Sequence, residues 1–261
     1  MRKIIFTFLA FVFIASLSYS QVTTLWEKSV GAGTKPSWFS PTGSTERGFG
    51  YGLVNGNHRL YIPSRNTGNF VYIYNALTGD SVGNLRTDGI SGGTFAINDC
   101  EVSSNGVIFV CNLSANISTG AFKVYKYTTE ADSPVVAINY IGTAAARLGD
   151  KFTVTGSTAD NSIIIWAASG NTQEVYKFTT SDNGNTFTAT VLPLTGLTGT
   201  AFGTASVGPF TGDKFYWNSN GWNPKKYNAD GTVAGTIPGT VVATGSNSIR
   251  FIRSFIGDEY V

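Results

Sequence analysis

The chain has 261 residues, of which 42% are hydrophobic and 13% charged, with 31 Gly, 8 Pro, 2 Cys and one His. These proportions exclude a disordered chain, a coiled coil, a collagen and a small disulfide-stapled scaffold. Eighteen basic residues face sixteen acidic ones, and removal of Arg2 and Lys3 with the segment described next leaves sixteen of each sign. A neutral surface lacks the counterion-release term behind nucleic-acid affinity and the polybasic attraction to anionic lipid, so neither partner is expected.

Residues 1–20 have the three parts of a secretory signal peptide: Met1-Arg2-Lys3, the apolar run Ile4 to Leu17, and small residues around Ser18-Tyr19-Ser20. The apolar run is too short to span a bilayer comfortably, and every later apolar run is soon interrupted by Thr, Ser, Asn or Gly. The expectation is a secreted or cell-surface protein with no membrane insertion after cleavage. Residues 21–50 read as an N-terminal strand and lead-in loop, and 51–261 as a repeat domain.

The repeat shows first in its aromatic strands. Phe70 to Asn75, Phe122 to Thr128, Glu174 to Thr179 and Pro224 to Asn228 share one alternating pattern, and Tyr74, Tyr127, Phe178 and Tyr227 are separated by 53, 51 and 49 residues. A turn and a β-branched or aromatic run precede each: Arg59 to Ile62, Val107 to Val110, Ser162 to Trp166 and Lys214 to Trp217. A third run follows each across a further turn, at Ser81 to Leu85, Pro134 to Ile138, Phe187 to Leu192 and Thr232 to Ile237. Phe95 to Val102, Lys151 to Thr155 and Thr204 to Val207 are the strands upstream.

Four strands per repeat of about 50 residues predict an all-β chain, a β-propeller of four-stranded blades. A twisted sheet with two apolar faces needs a similar sheet on either side, and a ring supplies both. A β-sandwich would give turn signals without the recurrence. Ile249 to Phe255 and Gly257 to Val261 start a fifth repeat, which reads as C-terminal truncation. The alternative is a five-bladed ring closed by a strand at Leu25 to Val30.

Asn105-Gly106 fits a two-residue hairpin turn, which would set Cys100 directly opposite Cys111, within reach of a disulfide. Free cysteines packed as small hydrophobes are the alternative. Two thiols and a solitary His58 after a turn make no zinc site, and no metal or cofactor is expected.

The runs Leu25 to Lys28, Pro36 to Phe39, Glu46-Arg47-Gly48-Phe49-Gly50-Tyr51-Gly52, Phe70 to Gly79 and Asn223 to Tyr227 resemble secreted bacterial propellers of the domain-of-unknown-function 4623 type. The resemblance covers most of the mature chain. It implies fold and export and carries no catalytic residues.

Most carboxylates sit in turns beside Gly or Asn, where Asp caps the backbone: Asp80, Asp88, Asp160, Asp182, Asp213, Asp230 and Asp258. Asp182 to Asn185 and Asp230-Gly231 lack the full calcium-loop spacing. Asp99 and Glu101 instead alternate within a strand and share one face. If that strand is innermost, Asp99 meets Asp150 or Lys151 of the next repeat at the central channel, as an acid/base cluster or a blade-to-blade ion pair. Trp222, with Asn220, Asn223 and Lys225, lies in a polar loop suited to a sugar ring or a partner side chain, or else wedges between blades. The reading is an extracellular or cell-envelope binding or scaffold module for a carbohydrate or protein partner. A propeller hydrolase or lyase using channel-facing carboxylates is the alternative.

Overall fold

The computed structural model describes residues 24–238 and the short strand segments 252–253 and 259–260. The signal segment, residues 1–20, and most of the fifth repeat therefore lie outside the described residues. Runs of β-branched and aromatic residues separated by Gly, Asn and Asp fold into four antiparallel sheets, each of four consecutive strands. The first holds β1 (Gly50–Val54), β2 (Asn57–Ser64), β3 (Phe70–Asn75) and β4 (Ser81–Leu85). The second holds β5 (Phe95–Val102), β6 (Ile108–Leu113), β7 (Phe122–Tyr127) and β8 (Val135–Tyr140). The third holds β9 (Phe152–Thr155), β10 (Ile164–Ala168), β11 (Glu174–Thr179) and β12 (Thr188–Pro193). The fourth holds β13 (Ser206–Pro209), β14 (Phe215–Asn218), β15 (Lys225–Tyr227) and β16 (Val233–Thr236). β17 (Ile252–Arg253) and β18 (Glu259–Tyr260) pair as an antiparallel hairpin.

The sheets stack in chain order, and the first strand of each lies against the first strand of the next. These are blades around an axis, with β1, β5, β9 and β13 innermost, which is the propeller the repeat predicts. Three apolar seams hold them. Tyr61, Val71 and Ile73 of the first blade meet Ile97, Val110, Tyr125 and Tyr127 of the second. Phe109, Phe122 and Val124 meet Phe152, Ile165, Tyr176 and Phe178 of the third, and Trp166 and Val175 meet Val207, Phe215, Trp217 and Tyr227 of the fourth. Burying one such side chain stabilises by about 1.5–3 kcal/mol, and both faces of β6 are buried along its whole length.

The repeat aromatics occupy equivalent places. Tyr127, Phe178 and Tyr227 each pack in the seam with the preceding blade. On the side of Tyr74 the described residues place the lead-in chain. Trp38 stacks on Tyr72 with ring centroids 4.0 Å apart and planes at 10°, and lies 6.2 Å from Tyr74. Trp26 donates its indole N–H to the Ala76 carbonyl at 2.8 Å and packs against Gly79. Leu25 to Val30, considered above as a ring-closing strand, forms no strand. Its end folds into a local turn in which Thr34 and Lys35 both donate to the Ser29 carbonyl.

The hairpin between β5 and β6 corrects the cysteine pairing. The Gly106 amide donates to the Ser103 carbonyl and Gly106 has φ of +84°, so the loop is the three-residue turn Ser104-Asn105-Gly106 ending in a left-handed residue. One extra loop residue shifts the register: Cys111 faces Asp99, and Cys100 faces Val110. A one-residue slip sends side chains to opposite faces. Cys100 accordingly joins the seam with the first blade and Cys111 the seam with the third, both as buried free thiols. The two-residue turn does occur at Asn55-Gly56, where both residues have positive φ.

Candidate functional site

Within each blade the hairpins alternate ends, so the loops after the second strand and the connectors between blades share one end of the propeller. The lead-in chain arrives at that same end, at the start of β1. There it meets the upper ends of the inner strands in a cleft of about 1210 Å³. Its wall combines residues 43–49 of the lead-in with Leu60, Ile62 and Arg65 of the first blade. Phe95 of the second blade, Lys151 at the start of the third and Thr204 before the fourth complete it.

Glycine brings the lead-in close. A Cβ on Gly48 would stand 1.9 Å from an Asp99 carboxylate oxygen, and one on Gly50 would stand 2.8 Å from the Cys100 carbonyl oxygen. This approach sets Arg47 beside Asp150, which is fully buried. One Asp150 oxygen accepts from Arg47 Nη2 at 3.0 Å and from Arg147 Nη2 at 2.6 Å, while the other accepts from Arg147 Nε at 2.6 Å. The Asp150 carboxylate holds the Arg147 guanidinium above its ordinary pKa. Asp99 is equally buried. It faces Lys151 Nζ at 4.0 Å and accepts from the Phe152 amide at 3.3 Å. Asn98 ties the two acids together by donating to the carbonyls of Gly149 and Asp150, at 2.7 and 3.1 Å.

Arg65 closes the network on the first blade. It donates to the Ile97 carbonyl, to Asn98 Oδ1 at 3.1 Å and to the Ser44 carbonyl at 3.0 Å, and its guanidinium lies 3.9 Å over the Phe95 ring. Burial lowers its pKa, and the nearby Arg47 charge lowers it further, with Glu46 opposing. Glu46 accepts from the Ser40 amide and from the hydroxyls of Thr45 and Ser64.

The structure brings Asp99, Asp150 and Lys151 to one end of the inner strands. Buried Asp99 pairs with Lys151 between the second and third blades, and buried Asp150 pairs with Arg47 of the lead-in and Arg147 of its own connector. Glu101 is half-buried further down β5, opposite Phe109 and away from the cleft wall. The polar loop lies elsewhere on the same end. Trp222 is partly buried in the seam of the third and fourth blades, 5.7 Å from Phe202 and 6.2 Å from Trp217. Asn220 is exposed, Asn223 is half-buried, and Lys225 donates to Thr236 at 3.3 Å. None of the four lines the cleft. His58 accepts from or donates to the Tyr51 hydroxyl at 2.6 Å on an exposed strand pair.

Sequence reasoning missed Arg47, Arg65 and Arg147, which carry the network. The available signal was Glu46-Arg47-Gly48-Phe49-Gly50, where small residues alternate with charged and aromatic ones beside the first inner strand. It also missed the exposure of Phe39 and Phe49 on the cleft, at 38% and 47%.

Of the turn carboxylates, Asp160, Asp182 and Asp230 cap the backbone, whereas Asp80 accepts from the Thr78 hydroxyl, Asp88 pairs with Arg86 and Asp213 with Lys177, and Asp258 lies outside the described residues. Asp182 accepts from the Thr180 and Thr186 hydroxyls and from the amides of Asn185 and Thr186, so both its oxygens are spent within the turn.

A crystal structure of a DUF4623 family protein from Bacteroides eggerthii superposes with a TM-score of 0.58 at 19% identity, covering 74% of this chain. The chain covers 45% of that protein's length. Penicillium chrysogenum alpha-L-arabinanase in complex with arabinobiose superposes at 0.45 and 14% identity, covering 70% of this chain and 61% of its own. No curated protein matches the sequence. The profile of the family described as a domain of unknown function, DUF4623, matches residues 10–261, and the chain belongs to that family.

Proposed function

We propose that the protein is an exported binding or scaffold module of the cell envelope or extracellular space, which engages a carbohydrate at the cleft at the upper end of its inner strands. The observation that carries this reading is the composition of that cleft. It is concave, it presents the exposed rings of Phe39 and Phe49, and it surrounds them with polar and charged groups held rigidly by the blade network. Concavity, aromatic faces and a few fixed polar groups are what small-molecule and sugar sites require. Export is supported by the three-part segment at residues 1–20.

The reading as a hydrolase or lyase that uses channel-facing carboxylates needs carboxylates that substrate can reach. Asp99 and Asp150 are both fully buried and held by cations or backbone amides, which weighs against that reading.

Retention of the protein on immobilised polysaccharides tests the proposal. The expected result is retention on at least one neutral or acidic polysaccharide, weakened by the double variant F39A/F49A without a change in thermal midpoint. Retention indifferent to that variant would overturn the assignment of the cleft. So would polysaccharide turnover abolished by Asp99→Asn in a folded protein. Export is checked by fusing residues 1–20 to a reporter enzyme and assaying it outside the cytoplasm.

A further inference from the structure

The charge on the cleft wall is unbalanced. Arg47, Arg65 and Lys151 line it, against the single carboxylate of Glu46. The acids behind the wall do not make up the difference, because Asp150 serves Arg147 as well as Arg47, while Asp99 faces Lys151. Arg65 forms no ion pair among the described residues. Its hydrogen-bond acceptors are two carbonyls and an amide, and of its charged neighbours the Arg47 guanidinium acts on it more strongly than the Glu46 carboxylate. A half-buried guanidinium beside a like charge is stabilised by any anion that reaches it, and arginine meets a carboxylate with two parallel hydrogen bonds. The exposed rings of Phe39 and Phe49 line the same space.

We infer that the cleft is a subsite for a carboxylate carried on a sugar ring, the uronate unit of an acidic polysaccharide. The inference rests on the carbohydrate-binding reading above and narrows its ligand class. A uronate joins a planar anion to a ring whose apolar face can lie on an aromatic, so one residue of the polymer can meet Arg65 and a phenylalanine together. An acidic peptide fits less well. Arginine clusters also take acidic peptide motifs, but the exposed Phe39 ring beside the guanidinium suits the apolar face of a sugar ring, which favours the saccharide.

Calorimetric titration of the full chain with polygalacturonate, its fully methyl-esterified form and polyglutamate tests the inference. The acid polymer should bind roughly tenfold more tightly than the ester, with an advantage that shrinks at high salt. R65Q should remove that preference. Because Arg65 also anchors the lead-in at Ser44, F39A serves as the second variant: its exposed side chain can be lost without unfolding, and it should weaken binding of acid and ester alike. Equal binding of acid and ester overturns the uronate assignment but leaves the binding-module reading standing. Equal binding of polyglutamate overturns the saccharide assignment. Binding of neutral polysaccharides alone, unaffected by F39A, overturns the subsite and its location together.

Discussion

Replacing Asp150 by Asn tests whether the buried charge network holds the blades together. The side chain is fully buried between two guanidiniums, with contacts of 2.6 to 3.0 Å from Arg47 and Arg147. The isosteric amide keeps the shape, removes the negative charge and leaves two cations facing each other. Breaking a buried pair from one side costs about 3–5 kcal/mol, whereas an exposed pair costs about 0–1 kcal/mol. Arg47 and Arg147 are 18% and 30% exposed, which lets water reach them and favours the lower end, about 3 kcal/mol. With a urea slope of about 2 kcal/mol per molar, the denaturation midpoint should fall by roughly 1.5 M at an unchanged slope. Removing Arg47 as well should recover part of the loss, because the second mutation relieves an unpaired cation. A midpoint shift below roughly 0.5 M for D150N would refute the claim that this carboxylate fastens the lead-in to the third blade.

Further expectations follow from the same structure. Gly48→Ala should destabilise by about 3 kcal/mol in a thermal or urea melt, since its Cβ would overlap the Asp99 carboxylate and lie 2.7 Å from the Asp99 Cα, while Gly235→Ala, with open space around it, should be neutral within about 0.5 kcal/mol. Trp38→Ala should cost about 2 kcal/mol and expose residues 24–49 to limited proteolysis, because it uncovers Tyr72 and Tyr74. Thiol titration should find two reactive cysteines only after denaturation, and reductant should leave the thermal midpoint unchanged. A disulfide-bonded form would contradict the observed register. Asp132, Asp160, Asp182 and Asp230 have pKa values held below the ordinary carboxylate range, chiefly by Thr and Ser hydroxyls. Groups lowered in the folded state stabilise it above their unfolded pKa, so stability should be flat at neutral pH and fall as pH drops below about 4, with a shallower fall in D182N.

The blade strands were legible because their signal is local. Ser81 to Leu85 and Phe95 to Val102 coincide with β4 and β5, since alternation and turn residues determine a strand wherever its sheet comes to lie. The capping role of Asp182 and Asp230 was legible for the same reason: donor and acceptor lie within four residues. Asp99 could be placed on an inner strand near Lys151 from the repeat spacing. Its burial could not be read, because the lid over it is Gly48, which is 51 residues away in sequence. The cysteine register failed on a single loop residue. Asn105-Gly106 is compatible with a two-residue or a three-residue turn, and packing of both faces of β6 decides between them.

The sequence by itself determined the all-β class, the period near fifty residues and the alternation that buries one aromatic row of each blade in the seam behind it. Those properties depend on neighbours along the chain. Only the tertiary structure decided that Trp38 of the lead-in stacks on the first blade, that two arginines 100 residues apart share one carboxylate, and that Phe39 and Phe49 line the cleft while Trp222 is wedged between blades. The physical reason is that ion pairing and exposure at the channel end are set by which blades and loops meet across the axis, a relation that no pattern within one repeat encodes.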